Sequence, residues 1–436
     1  MRPLTLLAYG IPGLPLAVLT LPVYIYLPTF YAQERGLEVA LVGGVLFAAR
    51  MFDVLIDPVG GHLVDAYPTR WGRRRPWIIG SLLLVVPACW MLFVPPTEVG
   101  AGYLLGWTLV FYFGWTFLQL PYQAWGAELS PDYAQRARIT GTRELFVLAG
   151  LLMSLGLPLL LDVGLAAALQ ALALCVVVAL PLTCLFAVVV VPEPPPTGAP
   201  TTPLLAGLRL MARNRPFLRL LLAYLLNGVA NGFPATLFFL FARHVLQVSE
   251  AQAFLLLCVY FAAGLPVMPL WLKLGERWGK HRAWVVAMLW NCPVFISVMW
   301  LGQGDFWPFL IVCVLTGVTL GADLALPPAI QADVVDLDTL ESGAQRTGFY
   351  FAVWNMATKL AVALAVGIGF PLLTAFGFST AGNNGATALT ALAALYGLFP
   401  VLFKLGAVWV AWQHPIDATR QREIRALIAA KAGANR

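Results

Sequence analysis

Charged residues and catalytic motifs are scarce in this 436-residue sequence. Only 11% of the residues are charged, there are four histidines, and no HExxH, GxSxG or P-loop pattern occurs. These absences exclude the common zinc-hydrolase, serine-hydrolase and nucleotide-hydrolysing sites, so we expect neither an enzyme nor a bound cofactor. The six cysteines lie in apolar runs without CxxC spacing, which favours small core residues over a disulfide or metal framework.

Apolar residues are abundant. They make up 60% of the chain, and the mean hydropathy is +0.81. A soluble domain cannot bury that much apolar surface, so the composition predicts an integral membrane protein whose partner is the lipid bilayer. The apolar residues form runs of about twenty rather than alternating ten-residue segments, which indicates helices and not a β-barrel.

The net charge of +6 does not indicate a nucleic-acid partner, because the basic residues collect in alternate loops. This distribution is the positive-inside pattern, and it predicts a multi-pass protein of the inner membrane with both termini in the cytoplasm. The apolar stretch at 4–31 is too long for a cleaved signal and is expected to remain as the first span. The basic clusters are Arg70, Arg73, Arg74 and Arg75; Arg136 and Arg138; Arg209, Arg213, Arg215 and Arg219; Lys273, Arg277, Lys280 and Arg282; and the tail from Arg420.

Hydropathy predicts an all-α membrane protein of twelve transmembrane helices in two pseudo-symmetric six-helix bundles. We expect an N-terminal half at 1–191, a cytoplasmic linker at 192–216 that is stiff where it is rich in proline, a C-terminal half at 217–412 and a cytoplasmic tail at 413–436. The predicted spans are 4–31, 38–65, 77–95, 101–129, 139–161, 165–191, 217–243, 250–273, 283–302, 306–335, 347–376 and 386–412.

The two halves repeat each other's motifs at matching distances. The tryptophans of TRWGRRRPW and ERWGKHRAW, Trp71 and Trp278, are 207 positions apart (278 − 71). Pro121 and Pro327, which close the fourth and tenth spans, are 206 apart (327 − 121). Two nearly equal offsets predict parallel six-helix repeats, the arrangement of major facilitator transporters, whose sites lie between the halves near the midplane.

One arginine and two aspartates interrupt the second span, in RMFDVLIDPVGG. At about 100° per residue Arg50, Asp53 and Asp57 share one stripe, and an ionisable group at bilayer depth costs from about 2.5 kcal/mol upward. Carboxylate oxygens suit a hard cation, and Pro58 cannot donate to the carbonyl of Val54, which leaves another oxygen nearby. The stripe therefore predicts a coupling-cation site, with a purely structural Arg50–Asp53 pair as the alternative.

These motifs resemble the glycoside-pentoside-hexuronide:cation symporter family, which includes the melibiose carriers. The resemblance covers all twelve spans and rests on RMFDVLIDPVGG, TRWGRRRPW, PYQAWGAELSPDYAQR and the stretch from LPPAIQADVVD to WNMATK. It implies that Asp53 and Asp57 bind Na⁺, Li⁺ or a proton, and that Arg143 and Lys359 belong to the same charge network. The alternative for Arg143 and Lys359 is a buried ion pair with the aspartates that holds the halves together.

The sequence departs from the melibiose carriers where those proteins hold their sugar. Their Lys-Asp pair of the first span falls on Leu16 and Ala17, and their aspartate of the fourth span falls on Gln119. Losing these carboxylates argues against a galactoside and favours a moderately polar or amphipathic solute. For the aromatic residues among the expected solute contacts, packing or interface anchoring is the alternative role. The residues expected to contact the solute are Tyr24, Tyr26, Gln119, Tyr122, Trp125, Asn227, Asn231, Tyr350, Trp354 and Asn355.

The loop after the second span resembles the loop that most major facilitators carry there. This resemblance implies that Asp65 braces a cytoplasmic gate with Arg73 and Arg74, although topology alone already requires basic residues there. The acidic residues at the predicted cytoplasmic span ends are interpreted as braces between helices. They are Glu128, Asp132, Asp333, Asp336 and Asp338.

The leading functional prediction is cation-coupled symport, driven by Na⁺ or H⁺, of a glycoside-like or other moderately polar solute by alternating access. The alternative is transport of a lysophospholipid or similar amphiphile, and a sensor that no longer transports is a third hypothesis. A bundle of two halves needs no partner to form its cavity, so we expect a monomer. The sequence leaves open the solute, the cation and the direction of transport.

Overall fold

The computed structural model describes residues 1–67, 69–161, 164–193, 204–379 and 384–434, which are helical almost throughout and contain no β-strand. The proline-rich part of the predicted linker lies outside the described residues. The helices are α1 Pro3–Gly10, α2 Gly13–Leu21, α3 Leu27–Gln33, α4 Val39–Ala66, α5 Arg75–Phe93, α6 Ala101–Glu128, α7 Tyr133–Leu161, α8 Leu165–Val190, α9 Leu204–Met211, α10 Arg215–His244, α11 Glu250–Trp278, α12 Lys280–Ser297, α13 Phe306–Ser342, α14 Thr347–Ala375, α15 Ala386–Trp412 and α16 Ala418–Ala434.

Twelve helical segments in the described part of the chain are long and apolar enough to cross a membrane. They correspond one to one with the predicted spans, because windows of about twenty apolar residues are a strong signal. The largest differences in length are at the ends: α13 runs seven residues beyond the predicted 335 (342 − 335), and α7 begins six residues before the predicted 139 (139 − 133). Those extra turns carry polar side chains that a hydropathy window excludes.

The first span is not one helix. It consists of α1, α2, a π-helical turn at Pro22–Tyr26 and α3. Each proline lacks an N–H donor and clashes with the preceding turn, which interrupts the α-helical ladder. The prolines responsible are Pro12, Pro15, Pro22 and Pro28.

Two compact units divide the chain. The first consists of 1–210, 335–353 and 421–436. Its core packs the first-span helices, α4, α5, α6 and α8 through side chains such as Phe30, Leu92 and Leu172, all without exposed surface. The end of α13, the start of α14 and most of α16 are thus part of this unit, and the predicted domain bounds stay a prediction.

The second unit consists of 211–334 and 354–420. Its core joins α10, α13, α14 and α15 through side chains such as Phe233, Phe241 and Phe309, which are fully buried. Close approach of α10 to α14 depends on glycine, because a Cβ at Gly228 or Gly232 would meet the Cβ of an alanine on α14 at 2.8 or 2.6 Å. This tight packing holds several polar side chains inside the unit.

Candidate functional site

The predicted acid pair lies on α4 inside the first unit. Asp53 and Asp57 are 1% and 2% exposed, so neither carboxylate faces lipid. Arg50 donates to Asp53 over 2.9 Å, and the hydroxyl of Thr116 on α6 donates to Asp57 over 2.9 Å. A Cβ at Gly60 would meet the Thr116 methyl at 2.8 Å, so this glycine lets α6 approach the pair. Two buried carboxylates and a hydroxyl thus lie where two helices meet.

This set of oxygens suits a hard monovalent cation. Carboxylate and hydroxyl oxygens are the ligands that such ions prefer, and the two acids are one helical turn apart. The Arg50 side chain is 27% exposed, and its guanidinium already neutralises one of the two charges. Lys359, predicted to share this network, lies half-buried on α14 in the second unit. Its membership of the network stays a prediction.

A cavity of about 160 Å³ opens in the first unit between the first span, α6 and α7. Three of its lining residues are Leu16, Ala17 and Gln119, which the resemblance predicts to stand where the melibiose carriers have their sugar-binding charges. The remaining lining residues are Gly13, Thr20, Tyr122, Gln123, Arg143, Glu144 and Val147.

The charged side chains that line this cavity belong to α7. Arg143 and Glu144 are each 7% exposed, and the guanidinium donates to Glu144 Oε1 from Nε over 2.9 Å and from NH2 over 2.5 Å. The carboxylate partner of Arg143 is therefore its own neighbour. Sequence reasoning missed Glu144, because adjacent helical residues point about 100° apart and give no stripe. Its signal was a lone carboxylate within an apolar span.

Glutamine side chains complete the polar lining. Gln123 and Gln119 lie one turn apart on α6, with the Gln123 amide 3.5 Å from Gln119 Oε1. The buried Gln123 Oε1 has no hydrogen-bond partner among the described residues. A buried amide oxygen left unpaired is costly, so this atom is a natural acceptor for a donor group of a ligand.

Of the other predicted solute contacts whose side chains are described in the first unit, only Tyr122 lines the cavity. Its hydroxyl donates to the Tyr9 carbonyl over 2.6 Å. Trp125 is fully buried and donates from its indole to the carbonyl of Pro192 over 3.2 Å, while Tyr26 packs half-buried against the apolar core. Tyr350 is fully buried at the start of α14. The side chain of Tyr24 lies outside the described residues.

The predicted contacts in the second unit form two groups. Trp354 stacks on Tyr224 with ring centroids 3.8 Å apart, and Asn355 is half-buried next to it in the chain. Asn227 and Asn231 both hydrogen-bond to Asp323 on α13. The amides of these two asparagines are thus engaged inside the second unit. Sequence reasoning missed Asp323, whose only signal was a lone charge in an apolar run.

The predicted gate residues form a buried ion network in the first unit. Asp65 lies 3.0 Å from the Arg73 guanidinium and 2.9 Å from that of Arg74, and Arg74 also pairs with Glu128 at 2.5 Å. The backbone N–H groups of Arg73 and Arg74 donate to Glu193, the second residue of the predicted linker. The sequence grouped Asp65, Arg73 and Arg74 and interpreted Glu128 as a brace between helices, but it gave no sign of Glu193.

The Asp65 carboxylate also caps the start of α14. Asp65 accepts from the backbone N–H groups of Gly348 over 3.0 Å and Phe349 over 2.8 Å. These are among the first N–H groups of the helix, which have no partner within it and carry the positive end of its dipole. The Arg73 guanidinium donates to the carbonyl of Gln345 beside them. The end of α4 is thereby tied to the start of α14.

Burial and neighbouring charges shift the two gate arginines in opposite directions. Burial, helped by the charge of Arg74, lowers the pKa of Arg73. Burial also acts to lower the pKa of Arg74, but the adjacent carboxylates of Glu128 and Asp65 outweigh it and raise that pKa. The two carboxylates therefore stabilise the charged form of Arg74 against the cost of its burial.

The sequence of the whole helical bundle matches a known family. A model of the MFS/sugar transport protein family, where MFS denotes the major facilitator superfamily, matches residues 8–418. The chain belongs to this family. Members of this family are multi-pass membrane transporters, so the match confirms the prediction that the chain is a membrane transporter.

Curated relatives of this MFS/sugar transport protein are also transporters. An uncharacterized symporter of Synechocystis sp. is 23% identical, with 98% of this chain and 96% of the relative covered. The sphingosine-1-phosphate transporter MFSD2B of Mus musculus is 26% identical, over 84% of this chain and 79% of the relative. The sodium-dependent lysophosphatidylcholine symporter 1 of Homo sapiens is 26% identical, over 87% and 77%.

Solved transporter structures share the fold. A bacterial homologue of the iron transporter ferroportin in an outward-facing state aligns with a TM-score of 0.71 at 14% identity, covering 95% of this chain and 99% of the other. The E. coli fucose:proton symporter aligns with a TM-score of 0.68 at 13% identity, covering 93% and 98%. The predicted twelve-helix major facilitator fold is confirmed.

Proposed function

We propose that this transporter couples its solute to a monovalent cation bound at Asp53 and Asp57. The observation that carries the proposal is the burial of both carboxylates one turn apart, with the Thr116 hydroxyl on one of them. Two negative charges at bilayer depth are costly, and a bound cation removes that cost. Binding therefore favours whichever conformation holds the acids closest, which links cation occupancy to alternating access.

The cation is Na⁺ or H⁺. Sodium-dependent symporters among the relatives support Na⁺, and the carboxylate and hydroxyl oxygens suit it. A proton would neutralise one carboxylate equally well. No other cofactor is proposed, and homologous transporters rather than enzymes support a role without chemistry on the solute.

The solute's polar part is proposed to bind in the 160 Å³ cavity beside Arg143 and Glu144. A guanidinium and a carboxylate held side by side offer both a donor and an acceptor, and Gln119 and Gln123 add amide groups. Hydroxyl groups of a glycoside-like solute can satisfy all of these. The cavity is smaller than the several hundred Å³ typical of drug-sized ligands, so only a small polar group fits within it.

An amphiphile is the second candidate. Leu16 and Ala17 give the cavity an apolar wall where the melibiose carriers have charge, and Arg143 with Glu144 matches a zwitterionic headgroup in both signs. Lysophosphatidylcholine and sphingosine-1-phosphate are the substrates named for two of the relatives. Competition for binding by simple glycosides against competition by lysophosphatidylcholine distinguishes the candidates, because a clear advantage for glycosides rejects the lipid.

Orientation and gating complete the proposal. The distribution of the basic residues supports an inner-membrane protein with both termini in the cytoplasm, and we propose that the chain acts as a monomer. The network of Asp65, Arg73 and Arg74 then lies at the cytoplasmic end, where it braces the gate by holding α4 against the start of α14.

Accumulation of solute in proteoliposomes under an imposed cation gradient tests the cation site. Asp53→Asn removes one carboxylate charge but keeps the side-chain volume, and it is expected to abolish gradient-driven accumulation. Glu98→Gln, an exposed carboxylate between α5 and α6, is the matched control and should accumulate solute normally. Unchanged accumulation by Asp53→Asn would show that the site assignment is wrong.

A further inference from the structure

A buried lysine lies at the centre of a polar cluster in the second unit. Lys404 on α15 has no exposed surface. Its ammonium nitrogen is 2.8 Å from Asn227 Oδ1, 2.8 Å from Asn231 Oδ1 and 3.8 Å from Asp323 Oδ2. Neither Lys404 nor Asp323 has a role in the cation site or cavity of the first unit.

The hydrogen bonds orient every oxygen of the cluster. The Nδ2 amides of Asn227 and Asn231 donate to the two carboxylate oxygens of Asp323 over 3.2 and 3.1 Å, which turns both amide oxygens toward Lys404. Trp284 also donates to Asp323, over 2.7 Å. The asparagines lie one turn apart on α10, so their oxygens face the same side of that helix. Amide oxygens are thus the nearest ligands, and the carboxylate stands behind them.

A second buried lysine in the same unit, Lys280, forms a direct ion pair and serves as a comparison for Lys404. Lys280 Nζ lies 2.6 Å from Asp333 Oδ2, within hydrogen-bonding distance of the carboxylate itself. Lys404 instead approaches two neutral oxygens first and its counter-charge only at 3.8 Å. Lys404 is thus surrounded by several oxygens, two neutral and one that balances its charge, and amide and carboxylate oxygens of this kind are the ligands that hard cations take in proteins.

We propose that the ammonium group of Lys404 occupies a monovalent-cation site of the second unit, formed by Asn227, Asn231 and Asp323. Without the ammonium, the site would take a monovalent cation of similar size, such as K⁺ or NH₄⁺. Asn231 is half-buried and Asp323 retains 9% exposure, which gives an ion a route inward.

This site has a consequence for coupling, which rests on the proposed function. The second unit carries its own tethered cation for Asp323, so its acid needs no ion from solution. The coupling cation is then required only at Asp53 and Asp57.

Lys404→Met tests the site, because methionine has a similar length but ends short of the ammonium position. Purified full-length protein is unfolded thermally in KCl, NH₄Cl or N-methyl-D-glucamine chloride at equal ionic strength. The unfolding midpoint of Lys404→Met is expected to rise with KCl and NH₄Cl along a saturation curve and to stay low in N-methyl-D-glucamine. The wild-type midpoint should show no such difference between K⁺ and the bulky cation.

Two control variants define the ligands. Lys280→Met removes the lysine of the direct pair, and its midpoint is expected to be equally low in all three salts. Asp323→Asn with Lys404→Met removes the balancing carboxylate, and this double variant should lose the response to K⁺. A midpoint of Lys404→Met that is the same in all three salts would overturn the proposal.

Folding failure is also decisive. If Lys404→Met cannot be purified in KCl while the double variant can, K⁺ does not replace the ammonium and the proposal is wrong. If neither variant folds, the site requires Lys404 for packing rather than for its charge, which equally overturns it. Loss of the K⁺ response leaves the Asp53 accumulation test untouched, so the two proposals fail separately.

Discussion

Replacing Arg50 by glutamine tests whether this arginine competes with the coupling cation for Asp53. The guanidinium lies 2.9 Å from the carboxylate, but the arginine side chain is 27% exposed. Exposed ion pairs contribute about 0.2–1 kcal/mol, whereas breaking a fully buried one costs about 3–5 kcal/mol. We take about 1 kcal/mol for this partly screened pair. Since 1.4 kcal/mol is about tenfold in affinity, Arg50→Gln should bind the cation about fivefold more tightly.

The assay is the half-saturating cation concentration for solute accumulation in proteoliposomes, measured together with the unfolding midpoint. Arg243→Gln, an exposed arginine at the end of α10, is the matched control and should leave both values unchanged. A purely structural Arg50–Asp53 pair predicts a different result, in which the unfolding midpoint falls and the half-saturating concentration does not. That result would refute the competition argument.

Three further predictions concern buried or docked charges. Glu144→Gln leaves the Arg143 guanidinium without its counter-charge, and this variant should lose about 3–5 kcal/mol of unfolding free energy. The double variant Arg143→Gln, Glu144→Gln removes both charges, and its thermal unfolding midpoint should lie nearer that of the wild type. Burial, reinforced by nearby positive charge, lowers the pKa of His414 from 6.5 to about 3. The stability of the wild-type protein should therefore fall as the pH drops from about 6.5 toward 3, by up to about 1.4 kcal/mol per pH unit. His414→Gln should flatten that slope, as measured by thermal unfolding at pH 5 to 7. Arg425→Ala removes the 2.6 Å ion pair that holds α16 against the end of α13. Trypsin should then cleave α16 up to about fivefold faster than in the control variant Arg422→Ala, which changes an exposed arginine of the same helix. Equal cleavage rates would show that the pair does not hold the helix.

The membrane helices were predictable because their signal is local. Each span needs about twenty apolar residues in sequence, and a hydropathy window detects this without any knowledge of tertiary contacts. The interruption of the first span was less evident, since proline is tolerated in membrane helices when neighbours satisfy the freed backbone groups. The four prolines within that span indicated that the helix would be interrupted, but the positions of the interruptions depend on how the segment packs.

Asp53 and Asp57 were predictable from spacing, whereas Glu144, Asp323 and Lys404 were not. A pair separated by four residues forms a helical stripe that sequence alone reveals. Lys404 is 81 residues from Asp323 (404 − 323), and their asparagine ligands lie on a third helix. Only the fold brings these side chains together. Each was nonetheless a charged residue within an apolar span, and treating every such residue as a functional candidate would have found all three.

The glycines of α4 show why the gate network requires the tertiary structure. A Cβ at Gly61 would lie 2.6 Å from the Ala352 Cβ and 2.7 Å from the Gly348 carbonyl, so only glycine lets α4 lie this close to the start of α14. That approach brings Asp65, one turn further along, within hydrogen-bonding distance of the Gly348 and Phe349 N–H groups, which are 283 and 284 residues away in the chain. The GG of RMFDVLIDPVGG therefore belongs to the predicted gate network as well as to the helix of the proposed cation site. Because one continuous helix carries both the proposed cation ligands and the residue that caps α14, the proposed function predicts that a change in cation occupancy at Asp57 reaches the cap, two turns away, through α4.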